Sequence, residues 1–169
     1  FFTKEIPVGW LKQAIFPVYT DADITYGTAS TFDTSSITGI SVTDVNTDKF
    51  IVSYSDDTNS NVEARAATVS GTSITWDALT LNVDSSGTSA NQQAISIDKV
   101  DTDQAVVCFN DSVNDGFCSL LTAATSTFLV ETSTAEHEDA NTTQFVSVAS
   151  VGTDTFVSCF QNGTSPSDI

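Results

Sequence analysis

The sequence predicts an all-β repeat protein, and three observations carry that reading. Ser and Thr together make up 48 of the 169 residues, while Lys and Glu are scarce. Long helices draw on Ala, Leu, Glu, Lys and Arg, whereas strands favour Thr, Val, Ile and Phe. The acidity is lopsided, with 17 Asp against 5 Glu, and Asp suits turns, where its side chain bonds the local backbone. Finally, one pattern recurs three times. Residues 40–54 read ISVTDVNTDKFIVSY, residues 95–109 read ISIDKVDTDQAVVCF and residues 146–160 read VSVASVGTDTFVSCF. The Thr-Asp pairs Thr47-Asp48, Thr102-Asp103 and Thr153-Asp154 fall in register. So do Val45, Val100 and Val151, and likewise Tyr54, Phe109 and Phe160.

Each copy reads as a β-hairpin. Ile40, Val42 and Val45 form a short strand, Asn46–Lys49 supplies the turn, and Phe50–Tyr54 is a continuous run of β-formers, expected where a strand is covered on both faces. A second pair follows: Ala64–Val69, a turn at Ser70–Ser73, and Ile74–Leu81. In the next copy the second pair is Phe117–Thr122 and Thr127–Thr132. One unit is thus four antiparallel strands, a to d, in about 50–55 residues, the size of a propeller blade. At the ends, residues 14–19 and 24–32 resemble strands c and d, whereas residues 146–160 supply only a and b. The expected organisation is an extension at 1–12, a half-blade at 13–39, full blades at 40–94 and 95–145, and a half-blade with tail at 146–169. That amounts to about three blade equivalents of a β-propeller-like repeat, with a half-blade at each end. Half-blades leave open edges, which invite pairing with another chain or repeat.

The formal net charge is −17, which argues against nucleic acid and anionic membranes as partners, since both need clustered Lys and Arg. At 40% hydrophobic residues the chain can bury a core. There is no Met, and the opening Phe-Phe-Thr-Lys does not read as a signal peptide; the chain is expected to be processed or part of something longer.

The first copy carries a further pattern: Ser41-Val42, Asn46-Thr47-Asp48-Lys49-Phe50, Tyr54, Asp56 and Thr68-Val69-Ser70-Gly71-Thr72. It resembles propeller-type repeats of bacteriophage tail fibres and of large secreted bacterial surface and adhesion proteins. The second copy departs from it, with Ala105 in place of the Phe and no Ser-Gly at the turn. The resemblance covers about residues 13–160. It implies an extracellular, cell-surface or virion setting and a structural or surface-recognition role, and it carries no catalytic residue.

Candidate sites are few. Cys108 and Cys118 flank the Asn110–Gly116 turn, and if Asn110 pairs with Gly116 they sit opposite each other within disulfide range. Cys159 is the repeat equivalent of Cys108; it is read as a free buried thiol, with a partner outside the chain as the alternative. Asp57, Asn59 and Asn61 alternate as in a calcium loop, without its glycine and closing glutamate, so a solvated turn competes with a calcium site. Asp48, Asp103 and Asp154 read as turn caps. Trp76 and Tyr26 share a repeat position and either stack on sugar rings or pack internally. Glycosylation sequons stand at Asn110, Asn141 and Asn162, a number chance accounts for in a chain so rich in Ser and Thr. His137 is the only histidine and reads as an exposed loop residue, and a single arginine, Arg65, is too few for a sialidase. The expectation is a non-enzymatic fibre or adhesion component that self-associates through open strand edges, without cofactor except calcium. The alternative is a carbohydrate-binding lectin, with blades assembled into an oligomeric ring that meets cell-surface glycans.

Overall fold

The computed structural model describes residues 27–84, 94–110, 116–123, 129–136 and 143–162, with backbone alone at 84, 129–136, 143–145 and 161–162. Eleven strands and no helix occur among them: β1 (Ile37–Asn46), β2 (Lys49–Asp56), β3 (Asn61–Ser70), β4 (Ser73–Trp76), β5 (Leu81–Asp84), β6 (Ile95–Asp101), β7 (Gln104–Asn110), β8 (Gly116–Ala123), β9 (Leu129–Glu136), β10 (Thr143–Gly152) and β11 (Thr155–Asn162). They form three antiparallel sheets, one per repeat. The first runs β1-β2-β3-β4 with β5 also on β3, the second runs β6-β7-β8-β9, and the third is the pair β10-β11.

The repeat sets the register. In each copy a two-residue Thr-Asp turn joins the first two strands, so that Asn46 opposes Lys49, Asp101 opposes Gln104 and Gly152 opposes Thr155. One residue before that pairing the register slips in every copy, and the residue left over is Val45, Val100 or Val151. These are β-bulges, which kink the strand and leave one residue out of the ladder. A second slip in β1 leaves out Gly39, whose φ of 58° is open to glycine without a Cβ clash. Gly71, with φ 60°, makes the β3–β4 turn in the same way.

Two expectations are corrected here. The single strand expected at Ile74–Leu81 is split: β4 ends at Trp76, and β5 starts at Leu81 and pairs back on β3, with Ala64 opposite Leu81. The physical reason is Arg65, whose Nε and Nη2 both donate to the Asp77 carbonyl, at 2.9 and 2.7 Å, and hold that carbonyl on a side chain. The strand-d reading of Thr31-Phe32 also gives way. Residues 27–36 carry no strand; they lie across the first sheet, where the Phe32 ring meets Tyr54 and Trp76 at 5.1 and 5.4 Å. The rest of the expected N-terminal half-blade and the extension at 1–12 lie outside the described residues.

The core lies between sheets. One cluster joins the first and second sheets through Val45, Ile51, Val62, Ala64 and Ala66 on one side and Ile97, Ala105, Val107, Phe109 and Leu121 on the other. A smaller cluster joins the second and third through Val100, Val106, Cys108, Cys118 and Val148. The β2 and β7 interiors are buried on both faces, as their unbroken apolar runs imply.

Candidate functional site

The arrangement that recurs, and so has the best claim to function, is the junction between successive sheets. It is built twice from equivalent residues. The bulge carbonyl of Val45 accepts the Asp103 N–H at 3.1 Å, and that of Val100 accepts the Asp154 N–H at 3.2 Å. A bulge residue lacks a ladder partner, so a donor from the next sheet satisfies what the kink leaves over. Asp103 and Asp154 reach across in the left-handed conformation, at φ 60° and 55°, which Asp tolerates better than most residues. Asp48 occupies the same repeat position and is not left-handed.

A second clasp joins the edge strands. The Ser41 hydroxyl oxygen accepts the Ile97 N–H at 3.2 Å, and the Ser96 hydroxyl oxygen accepts the Val148 N–H at 3.0 Å. Edge strands carry N–H groups with no ladder partner, and here the preceding sheet's serine takes them. Charged groups add to each junction. Lys99 sits 3.6 Å from Asp44 and Lys49 3.8 Å from Asp103. The Asn46 side-chain amide donates to the Asp103 carboxylate at 3.2 Å, and Asp98 accepts the Ser150 N–H at 2.7 Å. The sequence marks Asp103 as a turn cap, but its carboxylate faces the neighbouring sheet. Nothing within one copy signals this role; only the recurrence of Ser41, Ser96 and Ser147 beside the Thr-Asp turns hints at it.

At the two ends the same positions are uncovered. Val45 and Val100 are 0% and 6% exposed, whereas Val151 is 66% exposed. Ile97 and Val148 are 6% and 8% exposed, whereas Val42 is 60% exposed. Ile40 and Val157 are exposed as well.

A polar cluster anchors residues 27–36 on the first sheet. The Tyr54 hydroxyl lies 2.9 Å from an Asp33 carboxylate oxygen and 3.0 Å from a Glu63 carboxylate oxygen. One phenolic proton serves one carboxylate at a time. Burial, reinforced by the Asp33 hydrogen bond, pushes the phenol far above its ordinary value. Burial also raises Glu63, while the Ser35 N–H leads the effects that lower Asp33, so Glu63 is the carboxyl that takes up a proton more readily. Arg65 adds a bond from Nη1 to the Phe32 carbonyl. Asp77 is raised by burial, against the pull of Lys49 and Arg65.

The remaining candidates are placed as follows. Cys108 opposes Cys118, with Asn110 opposite Gly116, and the two sulfurs are joined in a disulfide with Cα atoms 4.1 Å apart. Cys159 is a free thiol, and it is exposed on β11 rather than buried, because no described strand covers that side of the third sheet. In the loop that holds Asp57, Asn59 and Asn61, the first two side chains are engaged in hydrogen bonds. Asp57 accepts the Thr38 hydroxyl at 2.6 Å, and the Asn59 amide turns to Asp56 at 2.7 Å. Asp56 also caps the Thr58 N–H at 2.7 Å, while Asn61 pairs with Asp56 through the ladder. Among the described residues no three His, Cys, Asp or Glu side chains gather as metal ligands. Trp76 is half-buried and engaged: its indole N–H donates to Ser30 at 2.9 Å, and its ring meets Phe32, Phe50 and the Arg65 guanidinium. Asn110 is 5% exposed, at the end of β7, and its Oδ1 is buried without a hydrogen-bond partner among the described residues. Asn162 ends β11. Tyr26, Asn141 and His137 lie outside the described residues.

Comparison with known proteins returns no matching family model, no matching curated protein and no matching solved structure.

Proposed function

We propose that this chain is a non-enzymatic structural module of an extracellular, cell-surface or virion fibre, made of β-propeller-like blades that assemble with further blades. The observation that carries the reading is the repeated junction: two successive sheet pairs use equivalent valine carbonyls, serine hydroxyls and turn aspartate N–H groups. A contact made the same way twice is an assembly rule, and it extends to a third use without new chemistry. The β11 edge, which among the described strands pairs with β10 alone, offers a site for strand complementation. The strong negative charge keeps such a surface-rich module apart from nonspecific partners. The lectin reading has less support, because the indole ring of Trp76 is occupied by its own sheet.

Electron microscopy of the concentrated chain, with a glycan array, tests the proposal. Polymers of fixed repeat without glycan binding are expected. Discrete rings that bind sugars would move the assignment to the lectin.

A further inference from the structure

The repeat-equivalent groups that close each internal junction are present at the two ends of the stack, where no described residue engages them. On the third sheet the Val151 carbonyl and Ser147 hydroxyl hold the acceptor positions, and no described donor meets them. On the first sheet the Val42 and Asp48 N–H groups hold the donor positions, and no described acceptor meets them. Apolar surface follows the same division. Val151 and Val157, equivalents of the buried Val100 and Val106, are 66% and 53% exposed. Ile40 and Val42, equivalents of Ile95 and Ile97, are 59% and 60% exposed.

We propose that the open face of β10–β11 docks the β1 face of a second copy of this chain, head to tail, by repeating the internal junction. Val151 would take the partner's Asp48 N–H, and Ser147 would take the partner's Val42 N–H. The occupant is argued from continuity with the two junctions already described. Charge agrees with it: residues 143–162 contain one charged residue, Asp154, in a chain with 22 acidic residues. A charge-depleted patch on an otherwise acidic surface is the composition of an interface centre, and it lets the partner's Asp44 approach without a facing carboxylate. On the first sheet residues 27–36 cover the Tyr54 and Trp76 side but leave Ile40 and Val42 open. The two faces differ, so the contact is heterologous and builds a ring or a filament.

The inference rests on the reading of the chain as an assembly module, and sedimentation velocity separates the two. The variants are Val42→Asp and Val151→Asp, at exposed positions where the monomer fold tolerates a charge; unchanged circular dichroism melts in dilute solution confirm this. Val151→Lys controls for charge sign, and Leu79→Asp, exposed at 56% in the connection between β4 and β5, controls for added charge. Wild type and Leu79→Asp are expected to associate as concentration rises. Each face variant alone is expected to associate at least about tenfold more weakly, the effect of placing an unpaired charge in an interface. Mixing Val42→Asp with Val151→Asp is expected to restore a 1:1 dimer, since each supplies the face the other lacks. Association that persists in both face variants overturns the inference and leaves the module reading standing. Face variants that fail to complement overturn the head-to-tail geometry. A wild type that stays monomeric at every concentration overturns the module reading itself.

Discussion

The valine that recurs at the bulge gives the sharpest mutational comparison, because one side chain occupies one repeat position in three different environments. Val45 and Val100 are sealed between sheets, at 0% and 6% exposure, and Val151 is open at 66%. Replacing valine by alanine removes about two carbons' worth of apolar burial, at about 0.8 kcal/mol each, and leaves a partly collapsed cavity. For Val45→Ala and Val100→Ala this sums to about 2–3 kcal/mol. For Val151→Ala the expected loss is about 0.5 kcal/mol or less, as for other surface positions. The lower strand preference of alanine is common to all three sites and drops out of the comparison. In a domain of this size about 2–4 °C of melting temperature corresponds to each kcal/mol, so the buried sites should lose about 5–10 °C and Val151 about 2 °C at most. Differential scanning calorimetry in dilute solution, supported by urea midpoints, reads the difference. Equal losses at Val100 and Val151 would mean that the third sheet is covered as the second is. Negligible losses at Val45 and Val100 would mean that the sheets do not pack through the bulge.

Three further outcomes follow from the first two sheets. Closing a loop of ten residues in sequence separation, the Cys108–Cys118 disulfide should contribute about 2–3 kcal/mol; reductant, or the double Cys→Ala variant, should lower the melting temperature by about 5–10 °C, and no change would mean the bond is absent in solution. Glu63 has its pKa raised by burial, so it favours the folded state below its ordinary value of 4.5 and loses that contribution as pH rises through the higher folded value. Glu63→Gln, which keeps an acceptor for Tyr54, should therefore match wild type at pH 4 and exceed its melting temperature at pH 7; a gap that shrinks with rising pH would contradict the assignment. Arg65→Ala should cost about 1.5–3 kcal/mol, the range for hydrogen bonds to a charged group. It should also shift tryptophan emission to the red as Phe32 and Ser30 release Trp76, and unchanged emission would show that Arg65 does not hold that segment.

The strand plan was legible because it rests on local chemistry. The Thr-Asp turns, the apolar runs at Phe50–Tyr54 and Ala105–Phe109, and the Asn110–Gly116 spacing each report on neighbours in sequence. What was not legible depends on neighbours in space. The split of the fourth strand follows from Arg65 reaching across to the Asp77 carbonyl, and hydrophobic periodicity at Ile74–Leu81 has no way to register a side-chain bond from another strand. The placement of Phe32 is similar: an aromatic among Thr and Ser reads as a strand residue until Tyr54 and Trp76 supply a surface for it. The role of Asp103 was hidden for a different reason. Turn capping already accounts for an aspartate after threonine, so nothing local distinguishes an aspartate that also bonds the neighbouring sheet.

Backbone amide exchange, followed residue by residue by NMR on dilute labelled protein, tests the repeated junction most directly. The account predicts slow exchange at Ile97, Val148, Asp103 and Asp154, whose N–H groups are held by the preceding sheet. It predicts fast exchange at the equivalent Val42 and Asp48, and protection appearing at both as concentration rises. Fast exchange at Ile97 and Val148, or equal protection of Val42 and Ile97 in dilute solution, would contradict it.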